Sequence, residues 1–77
     1  MFKVSEIIDL REKEKEETLE LIKESLNSLE SGDILEIIIN SQSIARLVEQ
    51  ELATAEEYKV YEPETIGYNI HIYVKIF

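Results

Sequence analysis

The sequence predicts an α/β domain, a two-layer sandwich in the order β-α-β-α-β-β, with a mixed four-stranded sheet that carries both helices on one face. Three observations lead there. Two segments repeat apolar residues at helical spacing, and they alternate with β-branched runs. A strand, helix, strand unit crosses over right-handed, which sets both helices on one side. The last ten residues alternate with a period of two and supply a closing hairpin. Seventy-seven residues suffice for one core and not two, so residues 1–77 form a single domain.

Strand one is expected over Val4 to Leu10, rich in branched apolar residues and ended by the charged run Arg11-Glu12-Lys13-Glu14-Lys15. Helix one is expected from Glu14 to Ser31. Its stripe is Leu19, Ile22, Leu26 and Leu29, widened by Leu21 and Ser25. Glu14, Glu16 and Glu17 favour the positive end of the helix dipole, and Gly32 is placed to end the helix as a left-handed cap. Asp33 opens Ile34-Leu35-Glu36-Ile37-Ile38-Ile39, an almost unbroken apolar run that reads as the central strand, buried on both sides. Asn40 or Ser41 can cap helix two, whose apolar positions are Ile44, Leu47, Val48, Leu52 and Ala55 and which frays near Thr54 to Glu56. Tyr58 to Glu62 reads as strand three and Pro63 to Gly67 as a turn. In the last strand Tyr68, Ile70, Ile72, Val74 and Ile76 alternate with Asn69, His71, Tyr73, Lys75 and Phe77. Lys3 to Ser5 and the Pro63 turn look loose. The expected core is Leu19, Ile22, Leu26, Leu29, Ile37, Ile39, Leu47, Val48, Ile70, Ile72 and Val74.

Seventeen acidic residues against eight basic ones give a net charge of -9, which repels phosphate backbones and anionic membrane surfaces, so neither nucleic acid nor membrane is an expected partner. The start, Met1-Phe2-Lys3-Val4-Ser5-Glu6, turns acidic too soon for a signal peptide, and no apolar run reaches the ~20 residues that span a bilayer. A cytoplasmic location is the natural expectation. With no cysteine the chain holds no disulfide, thiolate metal site or iron–sulfur cluster, and it performs no thiol chemistry.

Few residues point to chemistry. The charged run between strand one and helix one sits where α/β folds bind anions, but it has no glycine to let backbone N–H groups converge, and Glu14, Glu16 and Glu17 oppose an anion. His71 is the only histidine; as a ligand or general base it needs partners that the sequence does not pick out, and it reads as a cross-strand or exposed residue between Asn69 and Tyr73. Asp9 and Asp33 have no calcium-loop spacing, and no phosphate-binding loop or nucleophile elbow occurs. No cofactor, metal site or catalytic residue is therefore expected. Tyr58, Tyr61, Tyr68 and Tyr73 fall on the closing hairpin, and those facing away from the helices form either an aromatic partner surface or simple cross-strand pairs.

Ile8-Asp9-Leu10, a loop, a long amphipathic helix, the turn Ser31-Gly32-Asp33 and Leu35-Glu36-Ile37-Ile38 together resemble the TusA/SirA-like family over nearly the whole chain. The resemblance implies the same β-α-β-α-β-β fold. In that family a Cys-Pro-x-Pro motif opens helix one, and its cysteine carries sulfane sulfur as a persulfide. Aligned without gaps from Asp9 to Gly32, the motif falls on Lys15, Glu16, Glu17 and Thr18, so neither the cysteine nor a proline is present. Lysine cannot hold a persulfide, and the family's activity does not carry over. The ending Asp9-Leu10-Arg11 resembles that of cysteine-free relatives. The C-terminal domain of the third bacterial initiation factor resembles the same element order and binds ribosomal RNA, a role that the charge opposes.

The reading that follows is a non-catalytic TusA-like interaction or regulatory module, not itself a sulfur carrier, docking to a protein partner of sulfur or redox metabolism. Its expected surface is Arg11, Lys13, Lys15, Tyr61, His71 and Tyr73. The rival reading is a small-molecule-binding protein or minor enzyme using the polar surface near His71.

Overall fold

The computed structural model describes residues 3–77; Met1 and Phe2, with which the segment read as no signal peptide begins, lie outside them. The elements run β1 (Glu6–Asp9), α1 (Lys15–Ser28), β2 (Ile34–Ile39), α2 (Gln42–Ala53), β3 (Tyr58–Val60), β4 (Glu64–Ile66) and β5 (Asn69–Ile76). Across the sheet the order is β1-β2-β5-β3, with β4 also on β5. Only β1 and β2 are parallel; β5 runs antiparallel to β2 on one side and to β3 and β4 on the other. The expected α/β sandwich is present, with its fourth strand split in two.

That split corrects the expected turn at Pro63 to Gly67. Glu64, Thr65 and Ile66 pair with His71, Ile70 and Asn69, so the edge resumes after Pro63 and the chain turns only at Gly67 and Tyr68. Proline lacks the N–H a ladder needs, so it interrupts an edge strand without ending it. Gly67 supplies the positive φ, +62°, at the first of the two turn residues, as a tight hairpin requires.

β1 is shorter than expected, although Ser5 and Leu10 still donate to the carbonyls of Ile34 and Ile38 at 2.8 and 2.9 Å. Lys3 to Ser5 is thus tied down at Ser5. α1 begins at Lys15 and buries Thr18, Ile22 and Leu26, one stripe at steps of four. It ends three residues early, because Leu29 is already extended, and Gly32 is not its cap. Gly32, at φ +92°, instead shapes the turn into β2 and donates to the Ile76 carbonyl at 2.6 Å, fastening that turn to β5. Ser41, not Asn40, caps α2 by accepting from the Ile44 N–H at 3.4 Å.

One core lies between the helices and a single sheet face. Leu35, Ile37, Ile39, Ile72 and Val74 meet Ile22, Leu26, Val48 and Leu52. Leu47 is corrected out of it: α2 turns Ala45, Val48 and Leu52 inward and leaves Leu47 half-buried. Leu19 and Leu29 pack on the core's edge. The other face of β2 is only half-buried, so that strand is central in the sheet but covered on one side. An uncovered second face is what a two-layer fold leaves.

Thr18 is fully buried, yet its hydroxyl has no hydrogen-bond partner. An unmet buried hydroxyl costs about 1–3 kcal/mol. Thr18→Val keeps the shape and removes the polar atom, and should raise unfolding stability by about 1 kcal/mol or more in urea titrations. A loss of stability would mean that the hydroxyl is satisfied in solution.

Candidate functional site

Register places every side chain of the uncovered face. On it, Asp9, Ile38, His71 and Glu64 form one row across the four strands. Ile7, Glu36 and Tyr73 form the next, continued by Tyr61, whose N–H donates to the Tyr73 carbonyl at 3.0 Å. Ile34, Lys75 and Lys59 form the third.

The middle of this face holds a polar cluster. His71 Nδ1 lies 2.7 Å from Glu36 Oε2, a diagonal contact between adjacent strands, and both side chains are only 14% exposed. An ionised carboxylate only accepts, so Nδ1 carries the hydrogen in that bond and Nε2 is the other ring nitrogen. Tyr73 neighbours the same carboxylate. Burial pushes its phenol above the ordinary tyrosine value, and so do the charges of Glu36 and Glu64 and a hydrogen bond to Glu36. Lys59 Nζ sits 4.9 Å from the centre of the Tyr61 ring, within cation–π range.

Arg11 and Lys13 gather elsewhere, at the carboxyl ends of β1 and β2. Arg11 grips Asp9 with two bonds, Nε to Oδ1 at 2.9 Å and Nη2 to Oδ2 at 2.7 Å, and its backbone N–H adds a third at 3.1 Å. These bonds hold the Asp9 carboxyl down at about 2. Glu12 follows at φ +64°, its N–H donating to Asn40 Oδ1 at 3.0 Å. Asp9, Arg11, Lys13, Asn40, Tyr68 and Asn69 line an open polar cleft of ≈ 520 Å³. Asp9 and Asn69 belong to both the cleft and the uncovered face, so the two are continuous.

Of the six residues expected at the surface, the structure brings Tyr61, His71 and Tyr73 together on the sheet and Arg11 and Lys13 together in the cleft. Lys15 stands exposed at the first position of α1, apart from both groups. Of the tyrosines, Tyr58 packs against the core and Tyr68 projects from the hairpin turn, 94% exposed. Sequence reasoning missed Glu36 as the partner of His71, although a single charge inside Ile34–Ile39 was the available signal. It also missed Ile7 and Ile66, which are 60% and 51% exposed on the same face.

A second, mostly apolar groove of ≈ 280 Å³ runs between the helices, lined by Leu19, Ile22, Leu26, Leu52, Ala55 and Tyr58 among others. Among the described residues, no group of three or more His, Cys, Asp and Glu side chains could hold a metal ion, and no helix is long and apolar enough to cross a membrane. No family model matches the chain, and no curated protein matches it.

Proposed function

We propose that this chain is a non-catalytic protein-docking module, a TusA-like scaffold without its sulfur chemistry, and that its uncovered sheet face is the docking surface. The observation that carries this is the division of the surface. Of the large apolar side chains that stay exposed, Ile7 and Ile66 lie on the uncovered sheet face, Tyr68 stands in the hairpin turn and Phe77 just beyond β5, while the helices carry acid. Exposed apolar side chains gathered on one face mark interaction sites. The element order supports the TusA-like part of the reading, and the missing cysteine supports a role without sulfur transfer. Partners in sulfur or redox metabolism, and a cytoplasmic setting, belong to the same proposal.

The Glu36–His71 pair is also what a general base needs, an oriented imidazole. It lies on an open sheet, however, and neither the polar cleft nor the helix groove includes it. Docking is therefore the better-supported use of the face.

The test is affinity capture with the wild-type chain, Ile7→Glu with Ile66→Glu, and Glu20→Ala with Glu24→Ala as bait. Proteins retained by the wild type should be lost from the sheet double variant and kept by the helix variant. Retention by both variants, or loss with the helix variant only, contradicts docking through the sheet.

A further inference from the structure

At one end of the uncovered face two lysines stand side by side. Lys59 on β3 and Lys75 on β5 are direct cross-strand partners, and both side chains point away from the helices, because Tyr58, Val60, Val74 and Ile76 on either side of them pack on the core. Like charges directly opposite each other destabilise a strand pair. The chain holds 17 acidic residues against 8 basic ones, so carboxylates that could relieve the pair abound, yet none does. Among the described residues the ion pairs are Arg11–Asp9 and His71–Glu36, and neither lysine takes part in one. Glu36, diagonal to Lys75, is held by His71 at 2.7 Å, and Glu57, two residues before Lys59, pairs with neither lysine. Lys59 lies instead over the Tyr61 ring, 4.9 Å from its centre, and Tyr61 stands beside Tyr73.

Two plainer accounts leave the pair unexplained. Lysine on an edge strand deters pairing with a second sheet. That accounts for Lys59, but β5 has strands on both sides and Lys75 guards no edge. Solubility is the other account, and a net charge of -9 already provides it.

We propose that Lys59 and Lys75 together receive one carboxylate of the partner protein, an Asp or Glu side chain set among apolar residues. This inference rests on the docking reading and names the chemistry of the partner at one end of the face. A carboxylate between the lysines offers two oxygens to two ammonium groups and puts two attractions in place of one repulsion. The apolar residues beside it meet Tyr61 and Tyr73 in the next row and Ile34 in the same one. A long acidic segment does not fit. Glu36 and Glu64 stand on the same face, and the net charge of -9 repels a polyanion.

Selecting a displayed library of random short peptides on the purified chain tests this without knowledge of the partner. Peptides that bind the wild type should carry one Asp or Glu among apolar residues, and changing that acid to its amide should weaken binding about tenfold or more. Lys59→Gln and Lys75→Gln should each weaken binding to a similar degree and should not lower the midpoint of urea unfolding, since each removes the repulsion. An empty selection, binders without an acid, or binding that neither lysine change weakens overturns the proposal, while the docking reading still stands or falls on the capture result. A lowered urea midpoint with binding unchanged makes the lysines structural and overturns it as well. Tighter binding of a peptide with phosphoserine in place of the acid overturns the carboxylate in favour of a phosphate.

Discussion

Replacing Ile37 by alanine is expected to cost about 2–5 kcal/mol of unfolding free energy. Ile37 is fully buried. It pairs with Ile8 on one side and Ile72 on the other, and the helices close over it, so no neighbour can collapse into the space left behind. Domains carry roughly 0.05–0.15 kcal/mol of stability per residue, about 4–12 kcal/mol for a chain of this length. The substitution therefore removes a large part of the total and leaves a substantial unfolded population at ambient temperature. Ile7→Ala, at an exposed position on the adjoining strand, is the control and should cost under about 1 kcal/mol. Denaturant titration followed by circular dichroism measures both. A cost below about 1 kcal/mol at Ile37 would mean that the layers do not close over β2.

The second large effect is chemical. The wild-type chain should gain no sulfur from a persulfide donor, whereas Lys15→Cys should gain one atom, by attack of its thiolate on the donor's outer sulfur with departure of the donor thiolate. Lys15 is the first residue of α1, where unpaired backbone N–H groups and the helix dipole favour a thiolate. Glu14, Glu16 and Glu17 oppose it, so the thiol should be less acidic than one at an uncharged helix start. Intact-protein mass spectrometry reads the adduct, and a cysteine placed at Gln50, on the exposed side of α2, gives the reference rate. Faster loading at position 15 supports its equivalence to the TusA motif cysteine. Equal rates remove that support and leave the sheet-face reading as it is. Sulfur on the wild-type chain would overturn the non-carrier reading.

Where a local pattern and its tertiary use coincide, the fold is legible in the sequence. β5 alternates because one face of it is buried, and the Ile22 and Leu26 stripe is read from spacing alone, whereas the unbroken apolar run of β2 predicts burial on both sides and the strand is covered on one. The errors arise where a partner decides. Pro63 is a sound turn signal, but β5 offers Glu64 to Ile66 a ladder that no local pattern announces. In α2, Ile44 and Leu47 outweigh Ala45 by hydropathy, yet the helix is turned so that Ala45 is buried in line with Val48 and Leu52 and the two larger side chains are half-buried. The site divides in the same way. The sequence points to His71 and Tyr73 by type, but the pairing with Glu36 depends on β2 and β5 being neighbours, 35 positions apart in the chain.

β5 is the partner of β2, β3 and β4 and is the latest of the seven elements along the chain. On the ribosome, the strand that joins the sheet is therefore the last to emerge. Until residues 69–76 clear the exit tunnel, β1 and β2 are joined only to each other, and the apolar side chains of β2 have no second strand beside them. Folding of this domain then waits for residues 69–76, and a chain that lacks them displays an unfinished sheet of the kind that chaperones bind.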